Sequence, residues 1–102
     1  MKVVIRESAC RDLENIFDWI ARDNPEAARK VSDRILSAIE NLGDFPGLGH
    51  SGKVVGTREW LVRGTAYLIV YTVETPPSAI RTDDDILDVV AVFHGAQNRE
   101  QG

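Results

Sequence analysis

The chain has a single cysteine, Cys10, so no internal disulfide can form. That cysteine and the two distant histidines, His50 and His94, give no metal-ligand spacing, and neither a metal nor a cofactor is expected. A lone thiol in a reducing compartment reads as a small buried packing residue. No apolar run approaches the roughly 18 residues that a membrane span requires. The apolar part of the first seven residues is too short for a secretory signal, which points to the cytoplasm. Positive charge is outnumbered, with 12 Lys and Arg against 16 Asp and Glu. The formal charge of −4 argues against broad nucleic-acid binding, which rests on many cation–phosphate contacts. The signs are unevenly spread, however. Between Ser51 and Ala66 the charged residues are Lys53, Arg58, Glu59 and Arg63, a locally basic stretch.

What remains is one domain over residues 1–102. A chain of this length buries about 65% of its unfolded surface, enough to fold without metal or disulfide. Lys2–Ile5, with three β-branched residues in sequence, predicts a short strand. Leu13, Ile16, Phe17, Ile20 and Ala21 recur at helical spacing and predict a helix from Ala9 to Arg22, with Ser8 as its cap. Asn24, Pro25 and Glu26 open a second helix, whose stripe is Ala28, Val31, Ile35, Ala38, Ile39 and Leu42. Gly43 is its expected stop. Only Asp23, Asn24 and Pro25 separate the two helices, so they should form a hairpin.

Gly43–Thr57 holds five glycines and Pro46 without Walker or dinucleotide spacing, and reads as a mobile surface loop. Glu59–Arg63 and Ala66–Glu74 then read as antiparallel strands joined by a tight turn at Gly64-Thr65. Pro76-Pro77 ends the second of these. Ser78–Asp85 is polar, Ile86–Phe93 is the last strand, and Asn98–Gly102 reads as a frayed tail. The expected fold is α+β, in the order β-α-α-β-β-β, with a helical hairpin on one face of a mostly antiparallel sheet. On Tyr67–Val73 and Ile86–Phe93 both alternating sets are largely apolar: Leu87/Val89/Ala91/Phe93 stands against Val90/Val92, for example. Two helices cover one sheet face, so part of the second face, or an edge, is expected to meet another chain.

Among single residues, His94 is the best candidate for proton transfer; the simpler reading is a hydrogen-bonded imidazole at a strand end. His50 reads as exposed. Arg58 and Arg63 could form an anion site with Lys53, against a simpler role as solvated charges. Trp19 and Trp60 are candidates for protein contact or core edge. Tyr67 and Tyr71 read as packing residues on one sheet face. Asp83-Asp84-Asp85 lacks the alternation of a calcium loop and reads as a solvated turn.

The element order, the phrase Gly64-Thr65-Ala66-Tyr67-Leu68-Ile69-Val70-Tyr71 and the helix exit Leu42…Phe45-Pro46-Gly47-Leu48-Gly49 resemble the RelE/ParE superfamily of toxin–antitoxin toxins. The ending Val92-Phe93-His94-Gly95-Ala96-Gln97 is similar to its ParE branch, also called plasmid-stabilisation proteins. The resemblance implies a toxin neutralised by a cognate antitoxin, whose largely disordered tail folds over it on binding. The antitoxin would supply any DNA contacts of the pair. RelE-like members are ribosome-dependent mRNA endonucleases; ParE-like members bind and poison DNA gyrase without chemistry of their own. Many mRNA-cutting relatives carry an arginine just after the Gly-Tyr of the central strand, where this chain has Leu68. They carry another after the last strand's glycine, where Gln97 stands here, with Arg99 as the alternative cation. The expectation is therefore a gyrase inhibitor without catalytic residues. Its contact candidates are Trp19, Trp60, Arg58 and Arg63. The alternatives are a ribonuclease using His94, Arg63 and Lys53, and a toxin fold that has lost toxicity.

Overall fold

A computed structural model of the chain describes residues 1–77 and 84–95. Residues 78–83 of the expected polar segment Ser78–Asp85, Gln97, Arg99 and the tail 98–102 lie outside these residues. The order is β1 (Lys2–Ile5), α1 (Glu7–Ala21), α2 (Pro25–Asp44), a 3-10 turn (Pro46–Leu48), β2 (His50–Ser51), β3 (Arg58–Leu61), β4 (Tyr67–Glu74) and β5 (Ile86–His94). Five strands form one sheet in the order β1-β5-β4-β3-β2. Among the described residues only the β1–β5 pair is parallel. The α+β architecture is the expected one, with β2 as an added edge strand inside what reads as loop.

Helix α2 begins as its sequence dictates. The Asn24 Oδ1 accepts from the Ala27 N–H at 3.1 Å, and Pro25 occupies the first turn. It does not stop at Gly43 but runs to Asp44. A Cβ at Gly43 would stand 2.8 Å from Val3 Cγ2, so this glycine serves the close passage of β1 rather than a left-handed cap. Helix α1 also starts earlier than expected, with Arg6 at the cap position and no side-chain cap. Ser8 lies inside the first turn, where its hydroxyl donates to the Val90 carbonyl at 2.8 Å. The neighbouring Cys10 is exposed, contrary to its expected burial, because Ala9 takes the inward position.

Ala9, Ile16, Ile35, Ile39 and Leu42 of the hairpin pack against Val62, Ile69, Tyr71, Leu87, Val89 and Val92 of the sheet side. Fully burying each large aliphatic among them contributes about 1.5–3 kcal/mol. The set differs from simple alternation in β5. Val70 pairs with Ala91 but Tyr71 pairs with Val89, so Val90 is the extra residue of a β-bulge. Beyond it the faces exchange: Val92 joins the core, while Ala91 and Phe93 turn to the second face beside Val70 and Leu68. These four are half-buried, and the hairpin packs on the opposite face.

The bulge also lies where β1 has ended and α1 begins. Ser8 and Asp12, one helical turn apart, take the place of a strand partner there. Ser8 Oγ donates to Val90 O, and Asp12 Oδ2 accepts from Val92 N–H at 3.0 Å. Val92 is buried. Asp12→Ala therefore leaves a buried N–H without its acceptor and should cost about 1–3 kcal/mol in urea unfolding. Glu14→Ala, exposed on the same helix, should stay within about 0.5 kcal/mol.

Candidate functional site

Among the clefts beside the helical hairpin, two hold candidate site residues. The first, about 550 Å³, lies between α1 and the ends of β4 and β5, lined by Asp12, Asn15, Trp19, Tyr67, Phe93 and His94 among others. The bulge delivers His94 to this place, since its register partner is Tyr67 on the core face. Their rings meet edge to face, 5.4 Å apart at 83°. Trp19 is 66% exposed and carries the Arg22 guanidinium 5.5 Å from its ring centre. Trp19 thus stands as a surface aromatic.

The second cleft, about 740 Å³, runs between α2 and β3 and includes Arg34, Asn41, Leu48, Trp60 and Arg63 in its lining. Trp60 packs against the core and is half-buried. Arg63 is exposed in the turn between β3 and β4, and its carbonyl accepts from Arg34 Nη1 at 3.4 Å. That guanidinium lies over Gly64, where a Cβ would approach it to 2.6 Å. The turn is longer than the expected two residues. Val62 N–H donates to Tyr67 O, and both the N–H and the hydroxyl of Thr65 donate to Val62 O. Gly64, at φ 77°, supplies the positive φ that its third position needs.

His94 and Arg63 thus line different clefts, and Lys53 lies on the β2–β3 connection, at the other end of β3 from Arg63. Arg58 is occupied structurally. Its Nε donates to Gly49 O at 3.1 Å and its Nη2 to Gly47 O at 3.3 Å. The Tyr71 hydroxyl, more than a packing group, donates to Pro46 O at 2.7 Å and accepts from Gly49 N–H at 2.9 Å. Buried Glu59 accepts from Lys53 N–H at 3.1 Å. Three side chains from β3 and β4 therefore hold the glycine-rich segment by its backbone, and it is an ordered excursion instead of the mobile loop expected. The exposed His50 is as expected, on β2.

On the second face Arg6 grips Asp88, with Nε at 2.8 Å and Nη2 at 2.6 Å from the same Oδ2. The hydrogen bond to Asp88, then its charge, raises the Arg6 pKa above its ordinary value, with Glu74 adding to the effect. Asp88 Oδ1 and Thr72 Oγ1, cross-strand neighbours, are both buried without a hydrogen-bond partner among the described residues. Asp85 accepts from the Thr75 hydroxyl at 2.9 Å, while Asp83 is outside the described residues. Among the described residues no group of three His, Cys, Asp or Glu could hold a metal, and no helix is long and apolar enough to cross a membrane. Asp12, Arg34, Val54 and Val55 carry no chemical motif and were not singled out by their spacing; Arg34 and Asp12 acquire their roles from contacts distant in sequence.

A helical hairpin on one face of a small, mostly antiparallel sheet, opened by a parallel edge strand, defines a toxin fold of the RelE/ParE kind. The chain belongs to the ParE family: residues 3–99 match the family described as "ParE toxin of type II toxin-antitoxin system, parDE". It is 35% identical over 93 residues to "Putative toxin Y4kP" of Sinorhizobium fredii, covering 91% of this chain and 86% of that protein. A solved chain described as "Chromosomal ParDE TA system from P. aeruginosa" has the same fold, with a TM-score of 0.75 at 18% identity. The match covers 92% of this chain and 95% of that one. The protein is a type II toxin–antitoxin toxin.

Arg58→Ala should destabilise the chain by about 1.5–3 kcal/mol in urea unfolding, as expected for hydrogen bonds from a charged group. Arg58→Lys should recover little of it, since an ammonium lacks the fork that reaches two carbonyls.

Proposed function

We propose that this toxin acts by binding DNA gyrase, without chemistry of its own, and that a cognate antitoxin neutralises it in the cytoplasm. The observation that carries the reading is the dispersal of the ribonuclease candidates. Cleavage at a ribose 2′-hydroxyl needs a base, an acid and cations gathered around one phosphate. Here His94 and Arg63 line separate clefts, and Lys53 belongs to the far end of β3. The central-strand position that holds an arginine in many mRNA-cutting relatives is Leu68, paired with Phe93 on the apolar second face.

The same face supports an antitoxin partner. Leu68, Val70, Ala91 and Phe93 form a strip of half-buried apolar side chains opposite the helices. A chain segment that folds on binding gains its stability from covering such a strip. DNA contacts of the complex, and any repression of its own operon, then belong to the antitoxin, and a role in plasmid stabilisation follows from the pair.

Induced expression without antitoxin tests the reading. DNA synthesis should stop early with filamentation, the purified chain should block supercoiling by gyrase, and His94→Ala should keep both effects within about twofold, as for a residue outside the contact. An immediate stop in translation with cut mRNA, abolished by His94→Ala, would overturn it in favour of the ribonuclease.

A further inference from the structure

The ordered excursion between α2 and β3 ends in a feature that none of the foregoing roles uses. Val54-Val55-Gly56-Thr57 repeats, in sequence and in geometry, the turn Val62-Arg63-Gly64-Thr65 eight residues later. In both, the threonine N–H and hydroxyl donate to the first valine's carbonyl; at the first turn these bonds are 3.1 and 2.7 Å. In both, the glycine has positive φ, 89° at Gly56. The surroundings differ. The second turn lies under the Arg34 guanidinium and buries Val62, whereas a Cβ at Gly56 would meet nothing within 4 Å. Val54 is 67% exposed and Val55 98%. The base of the first turn is fixed by Gly52 N–H to Thr57 O at 2.8 Å and by Lys53 N–H to buried Glu59. Two valines are thus displayed in water on a preformed tip.

Water-exposed valines on an ordered turn gain nothing for the fold, and four of the exposed large apolar residues, Phe45, Leu48, Val54 and Val55, belong to this one excursion. Charge adds a direction. Residues 45–58 contain Lys53, Arg58 and His50 and no acidic residue at all, in a chain of formal charge −4. Shape selects the kind of partner. The turn borders a cleft of about 640 Å³ with Pro46, Gly47 and Val73, but Val55 itself projects at 98% exposure. A disordered tail gains by covering faces and grooves, whereas a projecting side chain on a preordered turn is covered best by a concavity that is already folded.

Resting on the reading that this toxin binds a protein target, we propose that the Lys53–Thr57 turn is its contact finger. Val54 and Val55 enter an apolar socket on the folded target, and acidic groups at the rim of that socket face Lys53 and Arg58. The antitoxin's folding segment does not use the tip.

The test compares wild type with Val55→Glu, Val55→Ser and Lys53→Glu, each measured for inhibition of purified gyrase, for binding to the cognate antitoxin and for melting temperature. Val55→Glu should raise the concentration for half-inhibition by at least about tenfold, as for a central contact residue. Lys53→Glu should raise it by a smaller, salt-dependent factor. Melting temperature and antitoxin affinity of the two Val55 variants should stay at wild-type values, because the Val55 side chain is 98% exposed. Inhibition by Val55→Glu at the wild-type concentration overturns the finger while leaving gyrase as the target. Loss of antitoxin binding with inhibition intact overturns it too. Where wild type itself leaves gyrase untouched, the reading of the target fails separately, and growth arrest decides the finger. Arrest lost in both Val55 variants with antitoxin binding retained supports it, and arrest retained overturns it.

Discussion

The β-bulge at Val90 is the constraint on which the arrangement of this molecule depends. One extra residue in β5 exchanges the faces of everything after it. Without it Val92 would leave the core and His94 would not meet Tyr67. The bulge coincides with the end of β1, so the β5 backbone beyond it lacks a strand neighbour on its β1 side, and α1 supplies the missing groups there through Ser8 and Asp12. A polar interaction therefore sets the axial position of an otherwise apolar helix. Apolar packing alone tolerates sliding by a turn; two directed hydrogen bonds from positions i and i+4 do not. The cleft beside Trp19 and His94 is a product of that placement.

A second layer of order is built on β3 and β4. Arg58, Glu59 and Tyr71 hold backbone groups of the preceding segment. The glycines of that segment are explained by proximity. At Gly49 a Cβ would stand 2.5 Å from the Tyr71 hydroxyl, and at Gly52 it would stand against Thr57 Oγ1 and Glu59. A glycine-rich composition is here the mark of close backbone approach to anchoring side chains. Only at Gly56 and Gly64 is it the mark of a positive φ.

These two layers divide the surface by shape. The sheet's second face and the clefts beside the hairpin are concave or flat, suited to an added chain segment. The turn at Val54 and Val55 is held by its own hydrogen bonds and projects Val55 into water. On the proposed function the toxin meets an antitoxin and a target, and a half-buried apolar face and a projecting turn let two partners be bound by different physics. Coupled folding favours the flat face, and rigid insertion favours the tip.

Much of the fold was legible because its signals are local. Asn24-Pro25-Glu26 and the stripe from Ala28 to Leu42 specify α2 through capping and period, and the short spacer after α1 forces the hairpin. The runs Ala66–Glu74 and Ile86–Phe93 specify strands by β-branched and aromatic content, within a residue of those observed. Misreadings fell where a distant partner decides. Ser8 looks like a cap until Val90 lies beside it, Gly43 looks like a stop until Val3 approaches it, and Cys10 looks buried until Ala9 takes the inward position. Of the candidate site residues, His94 and Trp19 came together in one cleft, while Arg58 turned inward to carbonyls that no spacing rule connects to it. The four-residue V-x-G-T repeat is too short to stand out in the sequence, where no internal repeat is expected, and it does not say which of the two like turns stays open to water. By itself the sequence determined the elements, their order and the family resemblance, because those follow from propensity, period and spacing along the chain. The bulge, the faces of Val92 and His94, the anchoring of the glycine segment and the exposure of Val55 were decided only by the tertiary structure. Each is a contact between residues far apart in sequence, and no local free energy encodes it.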